Sequence, residues 1–388
     1  MRFADMDFDI PDSTVEFEQR LITVLSSPKT QELLDEVHHR ADGMDGDPRP
    51  LYRHLGRAGL LAPSWPKEYG GLEADPTATV KLLEHMVQYG VPQSLYYISV
   101  QIVGSLILQS GTDQQRRTLL PRLASGELTM CILFTEPGHG SDLAGITTSA
   151  TGNDDGSWTL DGRKTYNLKT AYADLALCAV RDGGETNRYE SITLFLVPLT
   201  GPGISIRPIP SLSDEQFHDV RLTNVRVERE ATLGRVGEGW GLITRMFTAE
   251  RNGLDYYARA RYWLEQITAR ITQAGREPHV EELVGLAHHR ARLRASHLLC
   301  YRVLQGLSQG EADIAQASLA KWHCSETAQG IAWWAVQTWG VDALEPGPHT
   351  FDAAFREAPG MTISGGASEV LLDIVAGARL LDHASTGG

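Results

Sequence analysis

The chain has 388 residues, 42% hydrophobic and 22% charged, with a formal net charge of −14. That composition can bury a core over two or three domains and excludes disorder by composition. The charge argues against a nucleic-acid or anionic-membrane surface, so a soluble, acidic, multi-domain protein is expected.

The first residues, Met-Arg-Phe-Ala-Asp-Met-Asp, hold no apolar run, so no secretory signal is expected. From about 12 to 130 the pattern is helical. Helices are predicted over 53–61, 80–89, 95–109 and 113–124, with Thr112 or Asp113 capping the last. The stretch Ala-Pro-Ser-Trp-Pro-Lys-Glu-Tyr-Gly-Gly at 62–71 cannot continue a helix. Segment 95–108 is the most apolar, but it falls short of the ~20 residues a membrane span needs and is expected as a buried helix. From about 131 to 233 short β-type runs take over, at 158–166, 175–180, 192–198, 204–209 and 220–227. Asp161-Gly162 is expected as a tight hairpin turn, and the spacing fits a small antiparallel barrel or sandwich. Helical texture returns at 239–273, 279–308, 311–340 and 366–381. Helices, then strands, then helices predict an α+β protein with segregated domains at 1–130, 131–236 and 237–388.

Cysteines occur only at 131, 178, 300 and 324, with no Cys-x-x-Cys, so free thiols in a reducing cytoplasm are expected. The adjacent pairs His38-His39, His288-His289 and His323-Cys324 are poor chelates, because neighbours on a helix diverge by about 100°. No metal is expected. Gly138-His-Gly140-Ser-Asp-Leu143 starts like a dinucleotide fingerprint but has Leu at the third Gly, and it opens no βαβ unit. Neither a P-loop nor a Gly-x-Ser-x-Gly elbow is present.

The segment Leu-Phe-Thr-Glu-Pro-Gly-His-Gly-Ser-Asp-Leu-Ala-Gly at 133–145 is the densest in candidate chemistry. Gly138 and Gly140 allow backbone amides close to a ligand, and Thr135 and Ser141 supply hydroxyls. Such a loop suits a flat heterocycle; an ordinary Gly/Ser turn between domains has the same composition. Thr-Glu-Pro-Gly-His-Gly-Ser-Asp-Leu-Ala-Gly strongly resembles the signature of the acyl-CoA dehydrogenase family. Trp-Pro-Lys-Glu-Tyr-Gly-Gly at 65–71, Trp-Thr-Leu-Asp-Gly-Arg-Lys at 158–164, Gly-x-x-Gly-Glu-Gly-Trp at 234–240, Phe-Arg-Glu-Ala at 355–358 and Gly-Ala-Ser-Glu-Val at 366–370 extend the resemblance in family-like order.

The resemblance implies an N-terminal helical domain, a middle antiparallel β-barrel domain and a C-terminal four-helix bundle, with FAD between the last two. It implies FAD-dependent dehydrogenation of an acyl thioester, carried by CoA or a carrier protein, in which a base takes the α-proton and the β-hydride passes to flavin N5. Carried over residue by residue, Phe134, Thr135, Gly140, Ser141, Tyr166 and Leu168 fall at the flavin and phosphate side. Gln337, Gly340, Ala367 and Glu369 fall toward the diphosphate and adenosine end. An electron-transferring flavoprotein as acceptor and a homodimer or homotetramer are the family expectations.

Many members carry their base as the Glu of Tyr-Glu-Gly-Thr, where this chain reads Ser364-Gly365-Gly366-Ala367. Other members, the isovaleryl- and long-chain-type enzymes, place the Glu before an Arg on a C-terminal-domain helix, and this chain has Glu250-Arg251 there. Independently, Ile243, Met246, Phe247, Glu250, Leu254 and Tyr257 recur at helical spacing, which predicts a carboxylate on a buried apolar stripe. Desolvation there would raise its pKa and strengthen it as a base. Arg251 is expected to point elsewhere and orient structure. The Gly365–Gly366 turn can offer an amide to the thioester oxygen, beside the simpler role of turning the chain.

The chain also departs from the family pattern. After Lys164 it reads Thr-Tyr-Asn-Leu, so Leu168 replaces a flavin-contacting Thr, while Tyr166 can still stack. The Arg-x-x-Phe-Gly that reaches a neighbour's cofactor is reduced to Ile-Thr-Gln-Ala-Gly at 271–275, and the paired glycines near the adenine to Gly340-Val341. Asp255, Tyr256 and Tyr257 either read a group on the acyl chain or pack between helices; Trp333, Trp334 and Trp339 are expected in helix packing. A biosynthetic member acting at a more remote position of a carrier-bound chain, a flavin oxidase or hydroxylase, and a non-catalytic partner subunit are the alternatives.

Overall fold

The computed structural model describes residues 10–38, 46–184, 187–311, 313–344 and 351–386, the last eight by backbone alone. His39 of the first histidine pair lies outside the described residues. The N-terminal layer comprises α1 (Asp12–Leu25), α2 (Pro28–His38), α3 (Arg49–Arg57), α4 (Pro76–Gln88), α5 (Ser94–Tyr96), α6 (Ser105–Ser110) and α7 (Asp113–Ala124). A capping box starts α7: the Thr112 hydroxyl accepts from Gln115 N, and the Gln115 side chain accepts from Thr112 N. The expected helix at 95–109 is not uniform. Between α5 and α6, Tyr97–Gly104 is π-helical, a widening found most often next to functional sites.

Eight strands follow: β1 (Met130–Leu133), β2 (Ser149–Gly152), β3 (Trp158–Leu168), β4 (Leu175–Arg181), β5 (Ile192–Pro198), β6 (Ile204–Ile209), β7 (Phe217–Val227) and β8 (Thr232–Leu233). They form one sheet in the order β6-β7-β3-β2-β4-β5-β8, with β1 added beside β4. The purely antiparallel sheet expected from sequence is not what forms, because β4 pairs parallel with β1 and, at one position, with β2. The 134–148 loop and the β2–β3 hairpin intervene between β1 and β4, so the chain returns in the same direction.

Asp161-Gly162 is not a turn. It lies inside β3, and the β2–β3 reversal falls at Asn153–Ser157, with Gly156 at φ 84°. Gly162 is there for clearance, since a Cβ on it would sit 2.4 Å from the Thr148 hydroxyl. A register slip between Lys164 and Asn167 breaks the β3–β7 ladder.

The C-terminal layer comprises α8 (Gly239–Glu250), α9 (Leu254–Thr272), α10 (Val280–Ser308), α11 (Ile314–Trp339), α12 (Phe351–Met361) and α13 (Ser368–Thr386). The single helix predicted at 239–273 is two helices, because Gly253 takes φ 81° and the Asn252 side chain caps Leu254 N at 2.8 Å. Any side chain at 253 would press on Cys324 Sγ at 2.8 Å and Ala320 O at 3.0 Å. Helix α12 was not anticipated.

One apolar core joins the layers, running from Leu21 and Leu82 through Ile107, Leu133 and Phe195 to Ile243 and Leu254. A second joins α9, α11 and α12 through Trp263, Ile267, Ile331, Ala335 and Ala358. All four cysteines are buried and free. Among the described residues no helix is long and apolar enough to cross a membrane, and no group of three or more His, Cys, Asp or Glu could hold a metal ion.

Candidate active site

Glu250 is the last residue of α8, so the break at 251–253 presents its side chain at a helix end. Its Oε2 is sealed from solvent and has no hydrogen-bond partner among the described residues. Burial pushes the carboxyl above the ordinary range, and Arg251 and Lys321 only partly oppose the shift. The Tyr97 hydroxyl, on the first π-helical turn, donates to Glu250 O at 3.2 Å.

Gly365 faces this carboxyl. A Cβ built on it would lie 3.5 Å from Glu250 Oε1 and 3.2 Å from the Tyr256 hydroxyl. A carboxylate at 365 and one at 250 would therefore compete for one space, and φ 66° at Gly365 disfavours any side chain there. The carbonyls of this turn are tied back. Arg251 Nε donates to Gly365 O at 3.0 Å, and Lys321 Nζ donates to Met361 O at 2.8 Å and Gly366 O at 2.9 Å. Among the described residues, the N–H groups of Gly365, Gly366 and Ala367 find no acceptor in good hydrogen-bond geometry. In a trans peptide the N–H points opposite the C=O, so anchoring Gly365 O aims the Gly366 N–H away from Arg251. Arg251 is itself 7% exposed, with its guanidinium 4.5 Å from the Phe247 ring centroid.

Asp255 and Tyr257 are occupied with packing. Asp255 pairs with Arg259 at 3.4 Å in a cluster with Glu215 and Glu357, and Tyr257 stacks on His297 at 5.3 Å. Of the three residues after the break only Tyr256 turns toward Gly365.

On the β side, Phe134 is buried, Thr135 half-buried and Ser141 exposed. Among the described residues, and apart from each glycine's chain neighbours, nothing lies within 4 Å of a Cβ placed on Gly138 or Gly140, so that face of the loop is open. Glu136 holds the loop to the sheet, accepting from Thr147 N and Oγ1 at 2.7 Å and from Thr148 N and Lys164 Nζ at 2.9 Å. Lys164 Nζ also donates to Phe134 O at 3.0 Å. Burial alone would raise the Glu136 carboxyl, but the Lys164 charge and these bonds bring it down to about 2.

The β3–β7 slip sets Tyr166 at φ 54° and leaves its ring 64% exposed between buried Thr165 and Asn167. An aromatic residue held out in the left-handed region is a strained conformation of the kind that clusters at functional sites. Open amides, two hydroxyls and an exposed aromatic face fit a flat, polar-edged ring; half-buried Leu168 offers no hydroxyl to it.

Gln337, Gly340 and Glu369 are exposed and Ala367 is half-buried. Ala367 and Glu369 adjoin the Gly365–Gly366 turn at the start of α13. Gln337 lies 16 residues beyond Lys321 on α11, about 24 Å at 1.5 Å per residue, so it is not gathered with Glu250. Arg270, one residue before the reduced 271–275 segment, stacks 4.6 Å from the Trp339 centroid beside Gly340 and donates to Asp342 O. Lys321 was also missed, although it lies on the buried face of Ala317, Ala320, Cys324 and Ala328 at the spacing that singled out Glu250.

Comparison with known proteins adds a second line of evidence. The acyl-CoA dehydrogenase N-terminal domain matches residues 29–127, the middle domain 131–225 and the C-terminal domain 237–380. Acyl-CoA dehydrogenase FadE34 of Mycobacterium tuberculosis is 30% identical over 83% of the chain, which spans only 44% of that protein. Acyl-CoA dehydrogenase IpdE1 of the same organism is 27% identical over 84% of this chain and 86% of its own. Butyryl-CoA dehydrogenase from Megasphaera elsdenii superposes with a TM-score of 0.86 at 23% identity, covering 97% of this chain and 100% of that one. The Tcur3481-Tcur3483 steroid ACAD gives 0.85 at 27% identity, covering 97% and 99%. With all three domains matched in order, the chain belongs to the acyl-CoA dehydrogenase family, and it is an FAD-dependent flavoprotein oxidoreductase.

Proposed function

We propose that the protein dehydrogenates an acyl-CoA to its 2-enoyl-CoA, with Glu250 as the base that takes the α-proton. The observation that carries this reading is the Glu250 carboxyl, whose Oε2 is sealed without a hydrogen-bond partner among the described residues and whose Oε1 lies 3.5 Å from a Cβ placed on Gly365. Its raised pKa strengthens it as a base toward a carbon acid. The Gly366 N–H, freed by the Arg251 clamp on the preceding carbonyl, donates to the thioester oxygen as negative charge builds there. Thr135, Ser141 and the open 138–140 backbone would hold the ring and phosphate side of FAD, and the exposed Tyr166 would offer an aromatic face to it. Bound there, FAD supplies the acceptor for the β-hydride. CoA is preferred over a carrier protein because the related proteins are named acyl-CoA dehydrogenases. An electron-transferring flavoprotein is the proposed acceptor. Gln337, about 24 Å along α11 from Lys321, is proposed to reach the cofactor of a second subunit. A partner subunit without catalysis is disfavoured, since it would have no reason to keep a buried, unpaired carboxylate.

Anaerobic mixing with a panel of acyl-CoA thioesters is expected to bleach the bound flavin. The rate should rise with pH through a midpoint above the ~4.3 of an ordinary Glu, because the ionised form reacts and burial has raised its pKa. Absence of bleaching by every thioester would defeat the proposal. Leu168→Thr, which restores a hydroxyl at the proposed ring edge, should tighten FAD binding by about 1 kcal/mol, roughly five-fold. An unchanged FAD dissociation constant would place the ring away from residue 168.

A further inference from the structure

The second charged side chain under the Gly365 turn is Lys321. The residue is 1% exposed, in a helix face otherwise made of Ala317, Ala320, Cys324 and Ala328. A lysine so placed costs several kcal/mol in desolvation unless its charge is matched. Two of its three protons are satisfied by the carbonyls of Met361 and Gly366, one on each side of the turn. Its Nζ lies 5.1 Å from the Tyr256 ring centroid, and its Cε 3.8 Å from a Cβ placed on Gly365, whose nearer neighbours are the Tyr256 hydroxyl at 3.2 Å and Glu250 Oε1 at 3.5 Å. Lys321 and Glu250 thus both lie within 4 Å of the same Cβ position on Gly365.

We infer that Lys321 is a positioning residue for proton abstraction, bracing the 361–366 turn and supplying the buried positive charge that keeps Glu250 ionisable. The inference rests on the reading of Glu250 as the base. Two effects follow from the geometry. Anchoring Gly366 O turns the Ala367 N–H to the opposite side of that peptide, as Arg251 does for the Gly366 N–H, so two successive amides are aimed by two buried cations. The second effect is electrostatic. The groups facing Lys321 are Glu250 from α8, Arg251 after it, Tyr256 from α9, and Cys324 and Glu326 on α11 itself. Burial, the largest influence, lowers the ammonium to about 8 against the pull of Glu250. In return the ammonium holds the Glu250 carboxyl below where burial alone would put it.

The test is the pH dependence of anaerobic flavin reduction by an acyl-CoA in the FAD-loaded enzyme, with K321M, K321R and E250Q compared. In K321M the acid limb should move up by about one pH unit, so that the rate on that limb falls about tenfold. K321R keeps the charge and should keep the wild-type midpoint even if its plateau is lower. An acid limb of K321M that coincides with wild type, or one that moves equally in K321R, overturns the assignment. Should K321M not fold, K321R decides alone. Wild type should show an inflection near pH 8 from Lys321 itself, and an arginine, which does not titrate there, should remove it. Persistence of the inflection in K321R overturns the assignment. E250Q separates the two readings: activity in E250Q sinks the base, whereas an inert E250Q with an unmoved K321M limb sinks only Lys321.

Discussion

Glu250→Gln is expected to keep FAD bound and to slow flavin reduction by acyl-CoA about 10³-fold or more, the range lost when a positioned general base is removed. The amide is close to isosteric, so the Gly365 turn, Arg251 and Tyr97 keep their contacts, and the loss reports proton abstraction alone. A second consequence has a definite sign. Because burial raises the folded-state pKa of Glu250 above its unfolded value, the ionised carboxylate weighs against the fold. Wild type loses that stability as pH rises from the unfolded toward the folded pKa. Gln has no charge to bury, so the variant should melt higher than wild type at pH 8, and the gap should close below the ordinary Glu range. An enzyme that is dead but more stable is the pattern of a side chain kept for chemistry. Adding Gly365→Glu to E250Q should restore only part of the rate, since φ 66° strains any non-glycine residue and the Tyr256 hydroxyl lies 3.2 Å from its Cβ. Flavin reduction in E250Q within tenfold of wild type would remove Glu250 from the mechanism.

What the sequence made legible, and what it hid, follows from the range of each interaction. Helix and strand order came from local periodicity, and the stripe through Ile243, Met246 and Glu250 pointed to a buried carboxylate. Leu254 and Tyr257 matched that stripe for another reason. They belong to the next helix, and the Gly253 break that exposes Glu250 depends on clearance from Ala320 and Cys324, about 70 residues away in sequence. Asp161-Gly162 misled in the same way. Its glycine answers to Thr148 across the sheet, not to a local turn. Tyr166 could be matched to a flavin-side position, but its left-handed backbone arises from a β3–β7 slip that no local pattern encodes. Lys321 and the Glu136–Lys164 pair are buried charges whose partners lie far off in sequence, so composition gave no hint of them.

That last pair should make the largest contribution to stability. Lys164→Met leaves the Glu136 carboxylate buried without its counter-charge and Phe134 O without its donor, a loss of about 3–5 kcal/mol for a broken buried pair. Its pH signature distinguishes it from ordinary core damage. In wild type the Glu136 carboxyl is held down to about 2, so its contribution is complete above the unfolded value of 4.5 and is lost as pH falls toward 2. Without Lys164 burial dominates, the carboxyl prefers its proton, and K164M should gain stability as pH falls from 7 toward 5. Denaturant unfolding at pH 7 and pH 5 should show no change from this group in wild type but a gain in the variant at pH 5, and K164M/E136Q should recover part of the loss. Because Glu136 pins Thr147 and Thr148 behind the 135–141 loop, K164M should also bind FAD more weakly even where it remains folded. A K164M protein within 1 kcal/mol of wild type at pH 7, with FAD affinity intact, would mean that the loop is held by its backbone alone and that the buried pair is dispensable.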